Sequence, residues 1–422
     1  MPTALPLNKS NGQTRLKALL ARVRGSGAGI VSAASDNDPT TVASLAVIGS
    51  TTTYGLGWLV LLVIPMLAVV QAISTHVGAA TKRGLEDLVR RRYGWAAALV
   101  VLFAVLIVNL LTFSADLEGG GAAIALLSGI DYHWWIVPLA VFCLVLLIFS
   151  SYARVERLLV YIPLLFLTYV AAAFFAHPDW GAVLRGSFVP RLEHTKDYVT
   201  GAIALLGTTL TAYAYVWQEI EISEEHPPLR RLGLVQVDAT FGAVGAGITF
   251  WFIVIATGAT LGVHHTQVQT ASEAAKTLAP VAGHFATLLF GIGLLGSALL
   301  ALPVLLATSA YVVAEIFRWV GKLDAKFFQA PRFYTTMLVA AAAGCAIAFA
   351  GVGPIQLLFA SSIAGGIATP ITLVFLLLVA QGKQVTQSRK CPRWLCASGW
   401  VTASIVTIAA LIYLYQTVTG QS

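Results

Sequence analysis

Asp36, Asn37, Asp38, Pro39, Thr40 and Thr41 follow one another inside an apolar stretch, Gly25 to Ser50, that is otherwise long enough to cross a bilayer. Ionisable groups at membrane depth are costly and usually functional. Carboxylate, hydroxyl and backbone carbonyl oxygens are ligands for a hard cation, so the chemistry on offer is cation binding. Pro39 has no N–H and disfavours helix at the residue before it, which predicts a helix that unwinds near Asp38 and restarts behind it. Unwound backbone is tolerated at that depth only against protein or a wet cavity. Asp38 can be a ligand, with Thr41 one step away, or the N-cap of the second half-helix with Pro39 at its first position; the two roles are compatible. Asp36 is either an accessory acid or faces the cytoplasmic vestibule.

Further polar groups interrupt other apolar runs. Asp116 and Glu118 precede three glycines, and two acids inside an apolar run are candidates for a proton route. The alternative is an acidic pair in a glycine-rich kink near the outer interface. Leu206 to Tyr215 carries one glycine and three threonines, Thr208, Thr209 and Thr211, with no proline. Threonines there can satisfy backbone freed by a second helix break, or serve as ordinary packing glue. Gln218, Glu219 and Glu221 extend that polar character, while Glu224 and Glu225 read as a solvated loop end and Asp238 as a cap. The eight histidines form no cluster of metal spacing, and the four cysteines neither finger nor framework. No phosphate-binding loop or hydrolase motif is present, so ATP is not a partner, no cofactor is expected, and the chain is not expected to be an enzyme.

The elements that must position these groups follow from composition. The chain is 58% hydrophobic and 11% charged, with a mean hydropathy of +0.81, which excludes an ordinary soluble domain. Apolar windows predict eleven spans, at 25–52, 56–80, 95–128, 134–152, 157–176, 198–222, 236–262, 282–317, 332–351, 353–381 and 395–416. The fold class expected is therefore an all-α polytopic membrane protein. With the N-terminus cytoplasmic, 22 of the 26 Lys and Arg fall on inner segments, and Arg185, Arg191, Lys196 and Lys276 remain outside. That asymmetry places residues 1–24 in the cytoplasm as a segment without a cleavable signal, 25–416 as one transmembrane domain, and 417–422 outside. The basic tracts Lys82–Arg83 and Arg90–Arg92 read as anchors near anionic lipid of the plasma or inner membrane, not as a nucleic-acid surface. Trp134, Trp135 and Trp394 fit interfacial belts, and the chain is read as a monomer.

Taken together, the segments GSGAGIVSAASDNDPTTVA, VGAATKRGLEDLVRRRYG, GGGAAIALL, HPDWGAVLRG and FGIGLLGSALL, in this order and spacing, resemble the Nramp family of divalent metal transporters. The likeness is best from Gly25 to Leu127 and from His177 to Trp217. It implies a LeuT-type fold, with spans 1–5 and 6–10 as inverted repeats and span 11 appended, and import of divalent metal, often with protons. The family's metal-binding aspartate falls on Asp38, and its asparagine falls on Thr41. The Met-Pro-His of its helix 6 falls on Thr211-Ala212-Tyr213, the carbonyl position on Thr208, and a second histidine on Gln218. One helix 3 acid falls on Glu118, while the other aligns near Ala115 with Asp116 displaced by one. The helix 10 glutamine has no counterpart in SSIAGGIATP.

The departures share a direction. A thioether favours soft transition metals, whereas Asp38, Thr41, Thr208 and Thr211 supply only oxygen, which suits Mg²⁺ or Mn²⁺. Loss of both helix 6 histidines leaves Asp36, Asp116, Glu118, Gln218 and Glu219 as the groups available for a proton co-substrate. The alternative is a carrier of the same fold for a small organic solute such as an amino acid or carboxylate. If Thr211 occupies the ligand position, Thr211→Met should strengthen Cd²⁺ binding about tenfold, measured by competition calorimetry; unchanged affinity removes Thr211 from the ligand set.

Overall fold

The computed structural model describes residues 37–149, 168–225, 232–264, 266–279, 283–323, 325, 327–382, 385 and 390–420. Asp36 and the rest of the run from Gly25 lie outside these residues, as do the segment 1–24 and the end of the tail. The helices are α1 (Pro39–Thr52), α2 (Gly57–Thr81), α3 (Leu85–Ser128), α4 (His133–Phe149), α5 (Thr168–Phe175), α6 (Trp180–Phe188) and α7 (Lys196–Thr209). They continue with α8 (Ala212–Glu225), α9 (Leu232–Thr260), α10 (Ala271–Lys276), α11 (Ala286–Phe317), α12 (Pro331–Ala348), α13 (Pro354–Ala380) and α14 (Arg393–Thr419). Each of the eleven expected spans has a helical counterpart. Seven are long and apolar enough to cross a bilayer by themselves, with α7 and α8 counted as one.

Two boundaries differ from the sequence reading. α3 starts at Leu85, ten residues earlier than expected, and its backbone leaves helical geometry at Gly94 (φ 85°). The first turns are thus a separate basic segment, and the apolar span begins at Trp95 as expected. The outer connection from 177 to 196 contains a helix of its own, α6, capped by Asp179, whose carboxylate accepts from the N–H groups of Gly181 and Ala182.

Large apolar side chains on α3, α4 and α14 point outward, among them Phe103, Ile107, Phe142 and Ile408, as a lipid-facing surface requires. Inside, α3 packs on α11 and α13, α9 on α2 and α1, and α13 on α7. The basic tract of α3 also has a role inside the protein. Arg90 donates to the Ile316 carbonyl and Arg92 to the Leu378 carbonyl at 2.7 Å, so two cations cap the C-terminal ends of α11 and α13. Arg91 pairs with Asp87 at 2.6 Å. Lipid anchoring alone does not describe these arginines.

The contact between α7 and α13 is made by backbone. A Cβ on Gly207 would lie 1.9 Å from the Ser362 carbonyl oxygen and 2.2 Å from the Gly366 nitrogen. Small residues allow that approach, and it sets where the end of α7 sits. Gly207→Ala should therefore lower stability by about 1–3 kcal/mol in detergent unfolding, whereas Gly245→Ala, which meets open space, should not destabilise.

Candidate functional site

The first N–H groups of a helix have no partner within it. In α1 each is accounted for. Pro39 at the first position has none, the Thr40 N–H donates to Asp116 Oδ1 at 3.1 Å, and the Thr41 N–H donates to Asp38 Oδ1 at 2.7 Å. The Val42 N–H then opens the regular ladder on the Asp38 carbonyl at 3.1 Å. The Thr40 hydroxyl adds a second bond to Asp116 Oδ1 at 2.7 Å. Two carboxylates from different helices thus converge on one helix N-terminus, where the dipole favours negative charge. Asp38 is 2% exposed and Asp116 is fully buried. The other Asp38 oxygen, Oδ2, accepts from the Tyr213 hydroxyl at 2.8 Å.

The sixth span is broken. α7 ends at Thr209, and α8 begins at Ala212 without the help of a proline. Leu210 leaves helical geometry (φ −109°, ψ 30°), and its carbonyl is taken by the Thr369 hydroxyl of α13 at 3.0 Å. Freed backbone at this depth has to be satisfied by a neighbour, and α13 provides the donor. Thr41 Oγ1 lies 2.9 Å from Thr208 Oγ1 and 3.5 Å from the Thr208 carbonyl oxygen, which ties the start of α1 to the end of α7. On the same side, the hydroxyls of Ser44 and Ser362 are 2.6 Å apart.

Asp38, Thr208 and Thr211 line a common cleft with Thr40, Thr112, Ser361 and Ser362. It is too narrow to admit a water. Apart from Gly207, every lining residue offers a side-chain oxygen. The C-terminal end of α7, the negative end of a helix dipole, points into the same space. Such a cleft can hold a small hard cation.

The remaining candidates separate. Asp116 joins Asp38 through α1. Glu118, about 200° further round the helix, does not share that cleft. It is buried, with no partner on either oxygen among the described residues. The glycines that follow it form no kink; α3 runs on through them, with Gly119 against Pro39 and Gly120 against Ala298. Gln218 donates to Thr75 Oγ1 of α2 at 2.9 Å, and Glu219 sits beyond it, both away from the cleft. Glu224 is exposed, as expected, in the last turn of α8, and accepts from the Tyr311 hydroxyl at 2.9 Å. The Asp238 side chain is outside the described residues. Sequence reasoning missed Tyr213, Thr112 and the hydroxyls of α13. For α13 a signal existed: Ser362, Thr369 and Thr372 recur at helical spacing on one face.

A helix that starts at a buried carboxylate and a span broken at Leu210 meet at a polar cleft inside an otherwise apolar helical bundle, the arrangement of a multi-pass membrane transporter of the LeuT type. Over 97% of this chain the structure resembles the manganese transporter of Eremococcus coleocola in complex with an aromatic bis-isothiourea compound, with a TM-score of 0.73, 19% identity and 88% of that chain covered. A Na⁺-coupled sialic acid symporter shares the fold at a TM-score of 0.61 and 12% identity, over 92% of this chain and 88% of that one. The sequence profile described as "Natural resistance-associated macrophage protein-like" matches residues 29–416, and the chain belongs to that family, Nramp. Among curated relatives, the divalent metal cation transporter MntH of Deinococcus radiodurans is 27% identical over 84% of this chain and 80% of its own length. MntH of Brucella suis is 26% identical over 93% and 88%. This chain is a divergent member, with Thr211 where the resemblance puts the methionine.

If Thr369 holds the break open by satisfying Leu210, Thr369→Val should cost about 1–3 kcal/mol in unfolding experiments, and Thr369→Ser should restore most of it.

Proposed function

We propose that this protein carries a divalent metal cation across the membrane by alternating access, with Asp38, Thr41, Thr208 and Thr211 around the ion. The observation that carries the reading is the all-oxygen cleft where the start of α1 meets the break between α7 and α8. Asp38 supplies the charge, and the end of α7 supplies carbonyl dipoles. With neither sulfur nor nitrogen among the lining side chains, the site suits Mg²⁺ or Mn²⁺ better than Cd²⁺ or Zn²⁺. The relatives' names, divalent metal cation transporter and manganese transporter, support the same class of cargo.

Tyr213 is a conformational partner of the ion. Its hydroxyl donates to Asp38 Oδ2, so a cation that binds this carboxylate competes with it for the same oxygen. Tyr213 is the second residue of α8, and its displacement would shift α8 relative to α1. Asp116 positions the start of α1 through Thr40 and is the acid closest in role to a proton acceptor for the site. The Lys and Arg asymmetry supports a cytoplasmic N-terminus, which puts the basic end of the bundle, with Lys82 to Arg92, on the cytoplasmic side.

An organic solute is the rival cargo. Small-molecule pockets run to about 300–1,000 Å³, whereas this cleft has no room even for a water, which favours an ion. In proteoliposomes, Mg²⁺ and Mn²⁺ uptake should fall about a hundredfold or more in Asp38→Ala. Uptake that survives the substitution, or uptake of an amino acid with no divalent flux, contradicts this reading.

A further inference from the structure

Thr211, Tyr215, Glu219 and Ser223 recur every four residues and share one face of the inner half-helix. Thr211 lines the Asp38 cleft, and Ser223 lines a second cavity of about 620 Å³ at the basic end. The stripe therefore runs from the site to that vestibule. Tyr215 bonds the Thr372 hydroxyl of α13, and its carbonyl accepts from Ser74 of α2. Glu219 is fully buried, and neither of its carboxylate oxygens has a hydrogen-bond partner among the described residues.

α3 and α11 both pack on α8 and bring two further carboxyl groups to this end of the bundle: Glu86, buried in the first turn of α3, and Glu315, half-buried near the end of α11. Both Glu86 oxygens and Glu315 Oε2 are buried with no hydrogen-bond partner among the described residues. Glu315 accepts from the Asp87 N–H, supplying the side-chain cap that Gly84 at the N-cap lacks. Gly84 leaves room for it: a Cβ there would lie 2.0 Å from Glu315 Oε1. Glu315 lines the vestibule, so the cluster is open to exchange on one side.

The other charged groups around the cluster line the vestibule or pair with Asp87. Asp87 holds Arg83 at 3.2 Å, Arg91 at 2.6 Å and Arg318 at 3.8 Å. Lys82, Lys322 and Glu224 stand on the vestibule wall, with Tyr311 of α11. α2 contributes His76, two residues before the Gly78 that abuts the Glu219 carbonyl. Among the described residues, no lysine or arginine forms an ion pair with any of the three glutamates. Buried carboxylates without a counter-charge cost several kcal/mol each, so a cation has to accompany them. Among the described residues no three His, Cys, Asp or Glu side chains are spaced to ligate a metal, which leaves the proton.

We propose that Glu86, Glu219 and Glu315 form a proton-exchange station between the Thr211–Tyr215–Glu219 stripe and the 620 Å³ vestibule. It deepens the transport reading and rests on it for the coupling step only. As a cation passes down the stripe, the Glu219 carboxyl gives its proton to vestibule water, and the cation balances the carboxylate left behind. Infrared H₂O/D₂O difference spectra of the full chain in lipid at neutral pH test the station directly. A protonated-carboxyl C=O band should appear, shift on exchange, and weaken in both Glu219→Gln and Glu86→Gln. Absence of that band, or identical spectra in all three proteins, overturns the proposal. In Mn²⁺-loaded proteoliposome assays, protons moved per cation should fall about tenfold in Glu219→Gln, and an unchanged ratio overturns the exchange role. If the unmodified protein moves no cation at all, the transport reading fails and the infrared result alone decides the station.

Discussion

The structure turns on the N-terminus of α1, where the Thr40 and Thr41 N–H groups meet the carboxylates of Asp116 and Asp38. A helix beginning in the middle of a bilayer exposes backbone donors that no lipid can satisfy. Carboxylates satisfy them, but burying two negative charges side by side is itself unfavourable. The dipole of α1 and the Thr40 and Tyr213 hydroxyls offset part of that cost. In the function proposed above a bound cation would offset the rest, so that the same constraint would serve as both a structural device and a binding site. Asp38 as cap and Asp38 as ligand are one arrangement seen in two states.

The second break depends on the first. Thr41 reaches Thr208 only because α7 stops where it does, and α7 is located by the backbone contact of Gly207 with α13. α13 then does three things along one face: Ser362 meets Ser44, Thr369 takes the Leu210 carbonyl, and Thr372 meets Tyr215. The broken spans are thus held by hydroxyls on an unbroken one. Hydroxyl bonds are individually modest, so the arrangement can rearrange without the loss of any large single term. A carrier that must open to alternate sides needs that property.

Much of this was legible in the residues. The eleven spans followed from apolar windows, and the helix start behind Asp38 from a proline beside charge. The break at Leu210 was harder, because it has no proline and because threonine is common in membrane helices. Tyr213 was visible only as the replacement for a histidine; its bond to Asp38 links residues 175 positions apart and has no local signature. The same holds for Glu86, Glu219 and Glu315, which lie on three helices; of these only Glu219 was singled out in the sequence, as a proton-route candidate. Arg90 to Arg92 read correctly as a basic segment and incompletely as lipid anchors, since charge pattern does not reveal which carbonyls lie within reach. Glycine was informative where the helix ends without its help: α3 passes straight through Gly119 to Gly121, because close neighbours rather than a bend require the small residues.

The central claim is that the charge cluster at the start of α1 is completed by a hard cation. Anomalous diffraction from crystals of the protein grown with Mn²⁺ tests it most directly. The account predicts one strong peak bounded by Asp38, Thr208 and Thr211, about 2.0–2.6 Å from its oxygen ligands, with the Tyr213 hydroxyl moved off Asp38 Oδ2. A peak outside this cleft, with the Tyr213–Asp38 bond intact, would contradict it.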